Sequence, residues 1–141
     1  MAQTQGRRFG LVRVALLAGA IVAALAGALG LGPAPARAET YTPDCDAAAL
    51  IQAIVDANSS PEDSQIVLAA GCTYTLTAVE NVGPAGPNGL PAIAAAGGRL
   101  TIIGAGATIA RDGGAPAFRF FEVAPGAALA LTDLTLSGGD A

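Results

Sequence analysis

Histidine, lysine and tryptophan are absent from this 141-residue chain, methionine occurs once, and aromatic residues make up 4% of it. Without histidine, the usual general base near neutral pH and the commonest metal ligand are both missing. Positive charge is scarce as well: seven arginines stand against eleven carboxylates. Four of those arginines, Arg7, Arg8, Arg13 and Arg37, precede residue 39. The 103 residues after Ala38 keep Arg99, Arg111 and Arg119 against all eleven carboxylates, a formal charge of −8. Such a surface repels a phosphate backbone, which argues against a nucleic-acid partner. What remains has room for one small domain with a modest core.

The first 38 residues read as an export signal. Arg7, Arg8 and Arg13 form a positive start, and Leu11 to Leu31 is otherwise uncharged and mostly apolar. Pro33 and Pro35 then break any helix, and Ala36 and Ala38 flank Arg37 in the small-x-small pattern of a cleavage site before Glu39. The competing reading is an uncleaved anchor, because the eighteen residues after Arg13 nearly span a bilayer. Alanine and glycine dominate them, which makes insertion weak. The Arg7-Arg8 pair raises the twin-arginine route, but Phe9, Gly10 and Leu11 fit its pattern poorly, so general secretion is the better match. The expected location is extracellular or cell-surface, with membrane contact only through an uncleaved leader.

Cys45 and Cys72 are the only cysteines. An even number in an exported chain favours a disulfide. Two thiols this far apart with no histidine make a poor zinc site, and the C-x-x-C spacing of redox motifs is absent.

Residues 44–58 carry the pattern of one amphipathic helix, with Asp44 as the expected N-cap after Thr42 and Pro43. Ala47, Leu50, Ile51, Ile54 and Val55 form its apolar stripe. Gln65 to Gly71 reads as a first strand ending in a glycine turn. Cys72 to Thr77 reads as a second, with Thr73, Thr75 and Thr77 on one face and Tyr74 and Leu76 on the other. Residues 80–91, rich in proline and glycine, read as a surface loop, and Leu90 to Ala94 as extended chain.

The rest repeats itself. Leu100–Ile102 corresponds to Leu129–Leu131, 29 positions on, and Thr108–Ile109 to Thr135–Leu136, 27 positions on. Looking backward, Tyr74–Leu76 precedes Leu100–Ile102 by 26. A period in the high twenties with glycine-rich corners is the mark of stacked coils, each burying one row of aliphatics against its neighbours. A β-sandwich also spaces short strands evenly and is the alternative. In the stacked reading the helix is a lid on the first coil, since terminal repeats need a cap, while the other end has no lid and its unpaired strand edge invites self-association.

Cys45 and Asp46, Ala49 to Ile54, Asp56 and Asn58, and the run from Ile66 through Gly71, Cys72, Tyr74 and Leu76 resemble the N-terminal region of secreted bacterial right-handed parallel β-helix proteins of the pectate-lyase-like fold. Gly89 to Ile93, Thr101 to Ile109 and Leu131 to Gly139 continue the likeness, which covers almost all of residues 44–139. Many relatives open with a Cys-Ser-Leu-Arg-Glu-Ala box. Here Cys45 is followed by Asp46 and Ala47, so the cysteine and helix are kept and the box is not. Relatives are usually much longer and often carry a C-terminal surface anchor. The resemblance implies an all-β architecture and, at the level of fold alone, contact with an extracellular polysaccharide or cell-surface component.

Enzymes of that fold use clustered carboxylates with or without calcium. The candidates here are Arg111, Asp112, Arg119, Glu122 and Asp133, with Asp112 and Asp140 near equivalent corners, 28 positions apart. A glycosidic site needs two carboxylates at defined separation and a calcium site several converging oxygens. No doubled aspartate pattern exists, so these charges read as solvated loop residues. Glu62 and Asp63 supply too few ligands for calcium. Gly104 and Gly106 are no nucleotide loop. Of the aromatics after the leader, Tyr41, Tyr74, Phe118, Phe120 and Phe121, at least one of Phe118 and Phe120 reads as core, and an exposed one would stack on sugars.

The resulting expectation is an all-β, right-handed parallel β-helix start with an amphipathic capping helix. Residues 1–38 are a signal peptide, 39–64 hold the capping helix, and 65–141 form the first two to three coils of an incomplete solenoid. The expected role is structural, with no catalysis and no cofactor or metal. A glycan- or host-binding adhesin module and a fragment of a polysaccharide lyase or hydrolase are the alternatives.

Overall fold

The structure, a computed structural model, describes residues 38–94 and 98–140. Ala36 and the rest of the expected leader before Ala38 lie outside the described residues. Among the described residues strands dominate, with one helix: β1 (Glu39–Tyr41), α1 (Ala47–Ser59), β2 (Ser64–Val67), β3 (Thr73–Leu76), β4 (Asn81–Gly83), β5 (Gly86–Asn88), β6 (Leu100–Arg111) and β7 (Leu129–Ser137).

Five of the strands, β1, β2, β3, β6 and β7, pair in parallel. β1 pairs with β2, and β2 with the first part of β6, so that Tyr41, Ile66 and Ile102 lie side by side. β3 pairs with the second part of β6, setting Tyr74 against Ile109. β7 follows β6 along both parts, with Leu100 opposite Leu129, Ile102 opposite Leu131, Thr108 opposite Thr135 and Ile109 opposite Leu136. The spacings of 29 and 27 read from the sequence are therefore pairing registers. They differ because the two strands turn their corners with unequal numbers of residues. The register shifts between Ile103 and Ala107, where β6 uses Gly104, Ala105 and Gly106 and β7 uses only Asp133. Ala105 and Asp133 both take positive φ there, 51° and 49°, a left-handed conformation that aspartate tolerates better than most residues. Gly104 must be glycine, since a Cβ would run into the carbonyl oxygen of Asp133. Single parallel bridges join Asn88 to Arg119 and Ile93 to Val123.

The backward correspondence is corrected. Tyr74 pairs with Ile109 rather than Leu100, because the segment between β3 and β6 is longer than the one between β6 and β7. Part of that extra length is the region expected to be loop, which folds into the antiparallel β4–β5 hairpin.

The core follows the two-residue alternation of each strand. Ile66, Leu68, Tyr74, Leu76, Ile102, Ala107 and Ile109 are buried, together with Leu90, Ile93, Phe118 and Phe120. Burial of their apolar surface at roughly 25 cal/mol per Å² is the main favourable term. Thr73 and Thr75 on β3, and Thr77 just after it, are exposed.

The helix begins later than its expected start at residue 44. Asp46, in an extended conformation, is the N-cap, and its carboxylate accepts from Ala49 N at 3.3 Å. Residues before it are held in non-helical geometry. Cys45 is bonded to Cys72 with a Cα–Cα distance of 5.8 Å, and the Pro43 carbonyl accepts from the Tyr74 hydroxyl at 3.3 Å. The buried helix residues are Leu50, Ala53, Ile54 and Ala57. Ala47 and Ile51 are half-buried, and Val55, expected on the stripe, is 42% exposed. The contact line runs over the small side chains of Ala53 and Ala57, which let the helix approach closely and turn Val55 outward. At the far end Asn58 bridges to the chain after β5, donating to Ala92 O at 2.8 Å and accepting from Ala94 N at 2.9 Å.

Replacing both cysteines, Cys45→Ser with Cys72→Ser, is expected to lower the unfolding free energy by about 3 kcal/mol through loss of the closed loop. The readout is the urea midpoint at constant slope; an unchanged midpoint contradicts it.

Candidate functional site

The charged residues singled out from the sequence serve turns and strand ends. Arg111, last residue of β6, donates through Nε to Gly138 O at 2.7 Å and through Nη1 to Ala115 O at 2.8 Å, tying down the chain beyond β7 and the turn after β6. Asp112 accepts from Gly114 N at 2.8 Å within that turn. Arg119 donates to the Ala85 carbonyl at the tip of the β4–β5 hairpin. Asp63 accepts from Arg99 N at 2.7 Å, and Glu62 N donates to Ser60 Oγ at 3.3 Å. Asp112 and Asp140, expected near equivalent corners, make different contacts. With Ala110 opposite Ser137, one more pair brings Arg111 to Gly138, and Asp140 turns back to donate its N–H to Phe118 O at 3.0 Å.

Glu122 brings two asparagine side chains together. It accepts from Asn81 Nδ2 at 3.0 Å and Asn88 Nδ2 at 2.8 Å, and it lies where any Cβ on Gly83 would stand. Asn88 is buried, and its Oδ1 has no protein partner. This cluster locks the hairpin to the strand-like segment around residue 122. Neither asparagine stood out in the sequence, since nothing in its pattern marks residues 80–91 as folding back toward residue 122. Among the described residues no group of three or more acidic, cysteine or histidine side chains converges as a metal site would, and no helix is long and apolar enough to cross a membrane.

The aromatics are mostly interior. Tyr74 is fully buried and its hydroxyl accepts from Ala69 N at 3.0 Å. Phe118 and Phe120 are buried, and Phe121 packs partly against the core. Tyr41 remains partly exposed, donating its hydroxyl to Glu39.

The uncovered apolar area lies on β7. Leu131 and Leu136 are 41% and 42% exposed, although their register partners Ile102 and Ile109 are fully buried. Leu129 and Leu134 complete the row and are half-buried. On the side of β1, β2 and β3, α1 packs against all three strands and buries Leu50, Ala53, Ile54 and Ala57 there.

The Tyr41 hydroxyl is pushed up to about 12 from 10.0, first by its hydrogen bond to Glu39, then by burial and by the negative charges of Glu39 and Asp56. The folded state thus favours the neutral phenol. That contribution is whole below pH 10 and is lost as pH rises through about 12. In Glu39→Ala the Tyr41 titration, followed by NMR of labelled tyrosine, is expected to fall toward 10; no change contradicts the assignment.

The chain was compared with models of protein families, with curated proteins and with solved structures, and none of them matches it.

Proposed function

We propose that this chain is the exported N-terminal cap and opening coils of a right-handed parallel β-helix protein of the cell surface or exterior, with a structural role. The observation that carries the reading is the β7 row. Side chains that are sealed on β6 are open on β7 at the same register. An apolar strand face with an unpaired edge is completed by another parallel strand. The parallel pairs fall in three places along the chain, at β1–β2–β6–β7, at β3–β6–β7 and at the bridges Asn88–Arg119 and Ile93–Val123, which supports a three-sided coil. Parallel crossover connections are right-handed in nearly all proteins, and this supports the hand.

Helix α1 and the Cys45–Cys72 bond act as the seal of the first coil: the helix covers apolar surface that would otherwise meet water, and the disulfide fixes where the helix starts. A disulfide suits an extracellular location. Cleavage after Ala38 fits the architecture too, because Glu39 is already paired in β1 and its N–H donates to Asp63 O at 3.0 Å. Under this reading Arg111, Asp112, Arg119 and Glu122 are corner and hairpin fasteners, in keeping with their hydrogen bonds.

The native exported product is expected to begin at Glu39, to gain the mass of two hydrogens on reduction, and to be longer than residues 39–141. Intact mass with and without reductant reads all three. A monomeric product ending at Ala141 with β7 uncovered contradicts the proposal.

A further inference from the structure

A second open edge lies across β6 from β7, on β3. Its pairing with β6 has a fixed parity: Cys72 O accepts from Thr108 N at 2.8 Å, and Leu76 O from Asp112 N at 2.9 Å. In a parallel ladder, alternate residues direct both their N–H and C=O to the same neighbour. Cys72, Tyr74 and Leu76 therefore face β6, and Thr73 and Thr75 turn their backbone groups to the opposite side, where no strand pairs with β3 among the described residues. On that side a cleft of about 410 Å³ runs beside the first turn of α1. Thr75, Leu76, Thr77 and Ala78 form one wall and Asp46, Ala47, Ala48 and Ile51 the other, with Glu80 and Gly89 at one end.

Three features of the cleft converge. The Thr75 amide and carbonyl supply the main-chain donor and acceptor that an added strand uses. Ala47, Ala48, Ile51 and Leu76 supply apolar surface. Asp46 and Glu80 are exposed carboxylates, and none of Arg99, Arg111 and Arg119 lines the cleft. The Cys45–Cys72 bond joins the chain just before α1 to the residue just before β3, so both walls are held at fixed separation.

We infer that this cleft binds an extended segment of a partner polypeptide carrying lysine or arginine, added to β3 as an extra strand with its basic side chains against Asp46 and Glu80. Main-chain hydrogen bonds supply affinity, and the two carboxylates select for positive charge and against acidic segments. The inference concerns a different edge from β7 and does not depend on the chain being part of a longer β-helix.

The test uses the oxidised protein spanning residues 39–141 and a short end-capped peptide of alternating lysine and valine. Two controls accompany it, one with glutamate for lysine and one N-methylated at alternate amides. Binding is expected to shift the amide resonances of Thr75 and Thr77, to weaken with added salt, and to be lost with both control peptides. Asp46→Asn, which keeps a helix-capping side chain, and Glu80→Gln should each weaken it several-fold. Absence of binding at millimolar peptide overturns the inference. So does binding that survives N-methylation or both substitutions, and so do shifts confined to β7, which would mean that the peptide completes that edge instead.

Discussion

Pairing on both sides of β6 is the constraint on which the other contacts depend. Its first part is held by β2 and β7, its second part by β3 and β7. Because parallel strands in register place like positions side by side, the alternation of one strand is copied onto its neighbours. Tyr41, Ile66, Ile102 and Leu131 form one line and Tyr74, Ile109 and Leu136 another. Ile66, Ile102, Tyr74 and Ile109 in those lines are buried in the core. A slip of one residue would send every aliphatic to the solvent side, so register and burial enforce each other.

The ends of the stack are treated differently. At β1, β2 and β3 the helix α1 supplies the cover, and its placement comes from three anchors: the disulfide, the Tyr74 hydroxyl against Pro43, and Asn58 bridging to residues 92 and 94. At β7 the aliphatic row continues, Leu131 and Leu136 stay exposed, and no further strand pairs with β7 among the described residues. The proposed role as a cap and opening coils rests on that asymmetry. Two asparagine amides on the Glu122 carboxylate tie the β4–β5 hairpin to the chain around residue 122.

Much of this was legible in the sequence where the pattern is repetitive. Leu100–Ile102 against Leu129–Leu131, and Thr108 against Thr135, are pairs of similar residues at a near-constant offset, and the pairing follows them. The disulfide was legible from two cysteines in an otherwise apolar, exported-looking chain. Other features depend on tertiary context. The Tyr74 register was misjudged because the hairpin lies between the strands and hides the longer offset. Asp44 and Asp46 are equally good caps by type, and only the tether at Cys45 decides between them. Val55 fits the helical period, yet the helix leans on Ala53 and Ala57, whose small size carries little weight in a hydrophobic pattern. At Arg111, Asp112 and Glu122 composition alone could not separate a site from a fastener; their hydrogen-bond partners do.

The central claim is that β7 is an interior strand without its neighbour. Amide hydrogen exchange tests it most directly, in the chain spanning residues 39–140 and in the same chain with a second copy of residues 112–140 fused after residue 140. The account predicts that in the single chain β7 exchanges much faster than β6, and that in the fusion β7 gains protection approaching that of β6 while the new terminal strand takes over the fast exchange. Equal protection of β6 and β7 in the monomeric single chain, or no gain in the fusion, would contradict it.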